Sequence, residues 1–71
     1  MTQEAINDVS YPIRLGQFLK KVNAAQDGLE AKILIHKGDV RVNGVIEKRR
    51  GRKLQKDDMV EIAGGVRYHP Q

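Results

Sequence analysis

Gly38-Asp39-Val40-Arg41-Val42-Asn43-Gly44 is the stretch that decides how this chain folds. Gly38 supplies the left-handed stop that ends a helix. Val40 and Val42 then share one face of a strand, with Arg41 on the other. Asn43-Gly44 is the dipeptide of a two-residue hairpin turn in which both residues take positive φ, and the chain returns through Val45 and Ile46. Behind that return comes Lys48-Arg49-Arg50-Gly51-Arg52-Lys53, five cations in six positions. In a free tail so dense a like-charge run would be a solvated arm, but this one is pinned between a tight turn and another strand. Its geometry is therefore expected to be fixed, and a fixed cluster of cations is a surface for a polyanion, nucleic acid first among them.

Upstream of Gly38, Asp27 followed three positions later by Glu30 forms a capping box that opens a helix over residues 28–37. Leu29, Ala31, Ile33, Leu34 and Ile35 cover most of its circumference, so this short helix is expected to pack on more than one side. Leu15, Phe18, Leu19 and Val22 recur at the i, i+3, i+4, i+7 spacing and predict an earlier helix over 13–22, its stripe turned to the core. Residues 1–10 are polar without periodicity, and Pro12 holds the residue before it extended. The reading is a loosely ordered arm over 1–12 and one domain over 13–71. Downstream, Asp57-Asp58 marks a turn, 59–62 a strand, and Gly64-Gly65 precedes a last strand at 66–68. The order is helix, helix, hairpin, strand, an α+β pattern with no internal repeat.

Seventy-one residues make one small domain that buries about 60% of its unfolded surface, so its core supplies only roughly 3–5 kcal/mol. The chain has no cysteine to cross-link it or hold a metal, no apolar run long enough to span a bilayer, and no apolar stretch behind a basic N-terminus to act as a signal peptide. It reads as a cytoplasmic monomer that needs no cofactor or metal. The net charge of +4 is unevenly held: three basic against four acidic groups over 1–31 (−1), nine against two over 32–56 (+7), and one against three over 57–71 (−2). The positive field belongs to one segment, as a binding face requires.

Ile13-Arg14-Leu15-Gly16-Gln17-Phe18-Leu19-Lys20, then Glu30-Ala31-Lys32-Ile33-Leu34-Ile35, then Gly38 to Gly44, then Asp58 ahead of a strand, resemble the S-four-type RNA-binding domain, named for ribosomal small-subunit protein four. The tract Gly-x-Val-x-Val-Asn-Gly after a helix is its more specific part. The Arg-Arg-Gly-Arg-Lys-Leu that follows is similar to the stand-alone bacterial members of the YbcJ type. The resemblance implies an αL fold, two packed helices on a small bent antiparallel sheet. It also implies binding to structured RNA, such as ribosomal or transfer RNA, in translation or ribosome function. Larger members carry Ser-Arg where this chain has Gly28-Leu29 and Gly-Asp where it has Asp57-Asp58, so the second helix is left with Lys32 for contacts.

The chemistry follows from the residues themselves. Each phosphate met by lysine or arginine releases condensed counterions. Arginine adds planar bidentate donation, which favours Arg49, Arg50 and Arg52 as positioning contacts, with Lys53 as a mobile point charge and Lys48 as a further candidate. Gly51 lets the backbone come close. Lys32 and His36, four apart, make a small donor strip on the second helix. Against this stands the bland reading that Lys32 snorkels off the core and that the basic run merely solubilises. His36 reads as a surface residue, and His69 has no role. On the first helix Arg14 and Lys21 project to one flank and Lys20 to the other, and only one flank can face the hairpin; the resemblance favours Lys20 beside Lys32. Arg41 is either a contact or a guard on a sheet edge.

Single-strand binders need aromatic platforms, and this chain has only Tyr11, Phe18 and Tyr68, with Phe18 committed to the core. The second helix is too apolar to read a DNA major groove. Structured RNA, read by shape and phosphates, fits best. Catalysis is not expected: Ser10 and Asp57-Asp58 have no histidine in register to form a nucleophile–base pair. The other open class is an interaction module, a ribosome-associated adaptor whose basic face docks an acidic protein.

Overall fold

The computed structural model describes residues 3–6 and 10–70. Its elements in chain order are β1 (Gln3–Ile6), β2 (Ile13–Arg14), α1 (Leu15–Lys21), α2 (Gly28–His36), β3 (Val40–Val42), β4 (Val45–Ile46), β5 (Lys53–Leu54), β6 (Val60–Ile62) and β7 (Val66–Pro70). The α+β pattern stands. Five strands form one sheet in the order β1-β7-β6-β3-β4, antiparallel except for the parallel pair β1 and β7, and β2 with β5 forms a second, two-stranded antiparallel ladder.

Local chemistry accounts for the elements. The stripe of α1 buries Leu15, Phe18 and Leu19 completely, with Val22 packed at its edge. They meet Ala31 and Ile35 from α2, Val40 and Val42 from β3, Val60 from β6 and Tyr68 from β7 in one core. Phe18 and Tyr68 meet edge to face, ring centroids 6.0 Å apart at 84°. Helix α2 opens on a variant of the expected capping box: the Glu30 amide donates to the Asp27 carboxylate over 2.9 Å, and Glu30 Oε1 accepts over 2.7 Å from the amide of Gln26, the residue before the cap. Gly38, at φ +83°, ends it. The hairpin takes positive φ at Asn43 (54°) and Gly44 (84°), pairing Val42 with Val45. Asp58 then ties the turn ahead of β6 to the hairpin. Its carboxylate accepts from the Gln55 amide at 2.8 Å and from Asn43 Nδ2 at 2.9 Å, while Asn43 Oδ1 accepts from the Met59 amide at 2.9 Å.

Three expectations are corrected. Gln3–Ile6, assigned to a loosely ordered arm, is a strand paired in register with Arg67, Tyr68, His69 and Pro70. The unpaired backbone edge of β7 provides the partner, and side-chain periodicity carries no sign of such pairing. The remaining residues 1, 2, 7–9 and 71, and the side chain of His69, lie outside the described residues. Helix α1 starts at Leu15 rather than 13, because Ile13 and Arg14 pair with Leu54 and Lys53 as β2. Helix α2 packs on one side only: Ala31 and Ile35 are buried, but Leu29 is 66% exposed and Ile33 49%. Among the described residues no element is laid over its outer face, and these two form a solvent-facing apolar pair one turn apart.

Candidate functional site

The basic run leaves β4 at Glu47 and reaches β5 at Lys53. Glu47, only 8% exposed, is the buried charged group among the described residues. Its amide donates to the Val40 carbonyl at 3.0 Å, which turns the chain inward. Its carboxylate then accepts four hydrogen bonds: from the Arg49 amide (3.0 Å), Arg49 Nε (2.9 Å), Arg49 Nη2 (3.1 Å) and Arg52 Nη1 (3.2 Å). A carboxylate burdened by desolvation would ordinarily titrate high. Here the Arg49 guanidinium outweighs burial, and with the Arg49 amide and Arg52 it holds the Glu47 carboxyl down at about 2.

The far side of the loop docks on the start of α1. The first amides of a helix have no partner within the helix, and Arg14, extended at the N-cap (φ −76°, ψ 144°), offers no capping oxygen. The loop supplies the acceptors. The Leu15 amide donates to the Arg52 carbonyl at 2.8 Å and the Gly16 amide to the Arg50 carbonyl at 3.0 Å. Arg14 Nη1 adds a bond to the Gly51 carbonyl at 3.3 Å. Gly16 makes room for the Arg50 side chain as it lies: a Cβ there would stand 2.7 Å from Arg50 Cγ.

Between α1, the start of α2 and the loop lies a cleft of about 390 Å³, lined by Arg14, Gly16, Gln17, Lys20, Gly28, Ala31, Arg50 and Gly51. Three cations from three elements thus converge on a wall rich in glycine. Arg50 and Lys20 have no ion-pair partner among the described residues. Lys32 projects exposed from α2, next in sequence to Ala31 of the cleft wall, with His36 exposed on the same strip. Lys53 stands exposed on β5 opposite Arg14. Lys48 lies instead along the end of α2, its Cε 3.8 Å from where a Cβ on Gly38 would stand.

Other candidates fall elsewhere. Arg49 and Arg52, expected to face phosphate, turn their guanidinium groups to Glu47; Arg49 remains 76% exposed in its side chain, Arg52 only 29%. Arg41 shares a separate depression with Asp39 and with Glu61, the residue it pairs with on β6. The helical-wheel assignment of Arg14 and Lys20 to opposite flanks does not hold. Arg14 is extended, not helical, so its side chain obeys no helical phase, and both residues line the same cleft. Glu47 and Gly16 escaped the sequence reading. The signal for Glu47 was a lone acid at the head of a cationic run; for Gly16, a glycine inside an otherwise sound helical stripe.

The model of the S4 domain matches residues 6–69. This chain belongs to the S4 domain family. It is 48% identical over 52 residues to the Bacillus subtilis (strain 168) protein named "Probable ribosome maturation protein RlbA", an alignment that covers 73% of each chain. In this S4 domain the two helices that carried the resemblance also line the cleft, and the hairpin leads into its loop. Among the described residues no group of three His, Cys, Asp or Glu side chains is placed to hold a metal, and no helix is long and apolar enough to cross a membrane.

Proposed function

We propose that this S4 domain is a non-catalytic RNA-binding protein that recognises structured RNA, ribosomal or transfer, by phosphate contacts at the cleft of Arg14, Lys20 and Arg50. Lys32 and Lys53 extend the positive surface to either side, and Arg49 adds its outward edge. The convergence of Arg14, Lys20 and Arg50 on one glycine-lined concavity carries the reading. A phosphate is small, and at Gly28 nothing lies within 4 Å of where a Cβ would stand, which leaves room on the cleft wall for a nucleic-acid backbone to come close to the cations. Among the described residues Phe18 and Tyr68 are buried and Tyr11 half-buried, which leaves no exposed ring on which a single strand would stack. Shape and phosphate recognition of a folded RNA needs none. The relative's name, a probable ribosome maturation protein, supports ribosomal RNA as the target and the cytoplasm as the place of action.

A salt series with a labelled ribosomal RNA hairpin tests this reading. The three cleft cations with one flanking lysine make about four phosphate contacts, which give a slope of log affinity against log salt on the order of −3. Arg50→Ala removes one contact and leaves the melting transition within about 0.5 kcal/mol of the parent, as surface changes usually do. A flat salt plot, or no binding at low salt, rejects it. The exposed pair Leu29 and Ile33 favours a second reading, an adaptor that docks an acidic protein. Tighter binding to an acidic polypeptide than to the RNA would establish that alternative.

A further inference from the structure

Glu47 presents a contradiction on charge grounds alone. It is a carboxylate buried at the head of the most cationic segment of the chain, and it engages two of the five cations that follow it. A surface selected only for positive charge would not hold it. What the carboxylate does is geometric. It bonds both the backbone amide and the guanidinium of Arg49, which locks the turn at 47–49. It reaches Arg52 as well, and the Arg52 amide donates to the Arg49 carbonyl at 3.2 Å, closing residues 49–52 into a second turn. Arg50 and Gly51 are left at the tip between the two clamped arginines. From there the carbonyls of Arg50, Gly51 and Arg52 meet the donors at the start of α1. Five like charges in six positions would otherwise repel and splay the loop.

We propose that Glu47 is a positioning residue of the RNA site: it draws Arg49 and Arg52 inward so that Arg50 is held over the cleft beside Arg14 and Lys20. The inference rests on the RNA-binding reading, and its test separates the two. Glu47→Gln keeps size and one acceptor oxygen but raises the net charge from +4 to +5. Simple charge counting makes this variant bind RNA more tightly and with a steeper salt slope. Positioning makes it bind more weakly in spite of the added charge.

The experiment measures the labelled ribosomal RNA hairpin against the parent, Glu47→Gln, Arg49→Lys and the double variant, with backbone and arginine Nε NMR on each free protein. Arg49→Lys preserves charge on an exposed side chain and so serves where Glu47→Gln fails to fold. The expected result is a loss of about fivefold or more in Glu47→Gln. The cost of Arg49→Lys should be at least about threefold smaller in the Glu47→Gln background than in the parent, because the lost partner is the same. In the free Glu47→Gln protein the Arg49 Nε–H signal should exchange faster and amides 48–52 should lose order. Equal or tighter binding by Glu47→Gln, or strictly additive effects, overturns the proposal. If the parent itself does not bind the RNA, the RNA reading fails, and the free-protein spectra still decide the clamp: an undisturbed loop in Glu47→Gln, or in Arg49→Lys if the former is unfolded, overturns it.

Discussion

Replacing Gly16 by alanine probes the site from its back wall. A Cβ at this position would stand 2.7 Å from Arg50 Cγ and 3.3 Å from Cδ, but 3.6 Å from the Arg50 carbonyl oxygen. The last distance is ordinary contact, so the backbone of the loop can stay where it is. The side chain cannot: its Cγ must retreat by about 0.8 Å to recover a carbon–carbon separation of about 3.5 Å. The way out is rotation of Arg50, at about 0.5–1.5 kcal/mol for a strained χ angle, and the guanidinium at the far end swings further than the carbon that is pushed. Alanine in a helix gains up to about 1 kcal/mol over glycine. These two effects nearly cancel, so the melting transition should move by less than about 1 kcal/mol. RNA affinity should not be spared. Losing one hydrogen bond to a charged group removes about 1.5–3 kcal/mol, roughly tenfold to 150-fold, and one phosphate contact fewer makes the salt slope shallower by about 0.7–0.9. Fluorescence anisotropy across a salt series, with calorimetric melting on the same samples, measures both. Parent-like affinity and slope in Gly16→Ala would refute the placement of Arg50 in the site, and a collapsed fold would show that the backbone contact, not the side chain, is limiting.

Leu19→Ala empties a fully buried position and should cost roughly 2–5 kcal/mol, most of the roughly 3–5 kcal/mol so small a core supplies, so circular dichroism should show a partly or wholly unfolded chain. Gly44→Val puts a β-branched residue at φ +84°; it should distort the hairpin in amide NMR and weaken RNA binding although no charge is removed. Glu47 sets an acid limit on stability. Its folded pKa of about 2 lies below the ordinary 4.5, so the stability it contributes is complete above about pH 4.5 and drains as pH falls toward 2. Asp58, held below its ordinary value by the Gln55 amide and Asn43, titrates in the same direction, so the Glu47 share is the difference between the melting profiles of the parent and Glu47→Gln over that window.

The elements legible in the sequence were those whose signal is local. The stripe of α1, the capping box of α2, the left-handed Gly38 and the Asn43-Gly44 turn each involve neighbours within one helical turn or one hairpin, and each has the form its residues demand. What the sequence hid depends on partners far along the chain. The pairing of Ile13 and Arg14 with Lys53 and Leu54 converts the first turn of an apparent helix into a strand. Gln3–Ile6 becomes a strand because β7 offers it an edge. The exposure of Leu29 and Ile33 was not readable because hydrophobic spacing tells which residues can be buried, not whether a neighbour arrives to bury them. At the site, composition marked the cations but not their orientation; two of the arginines turn inward because of one glutamate.

The completion of α1 by the loop also bears on the timing of assembly. Arg14 and Gly51, bonded to each other, stand 37 positions apart in the chain. The opening amides of α1, at Leu15 and Gly16, likewise take their acceptors from Arg52 and Arg50, so these bonds form only once the intervening chain has closed a long loop. Each place supplies what the other lacks: the loop gives the helix start its acceptors, and the helix start gives the loop its donors. The same closure sets Arg50 beside Arg14 and Lys20, so a chain opened at this contact would lose the cleft while keeping every one of its charges.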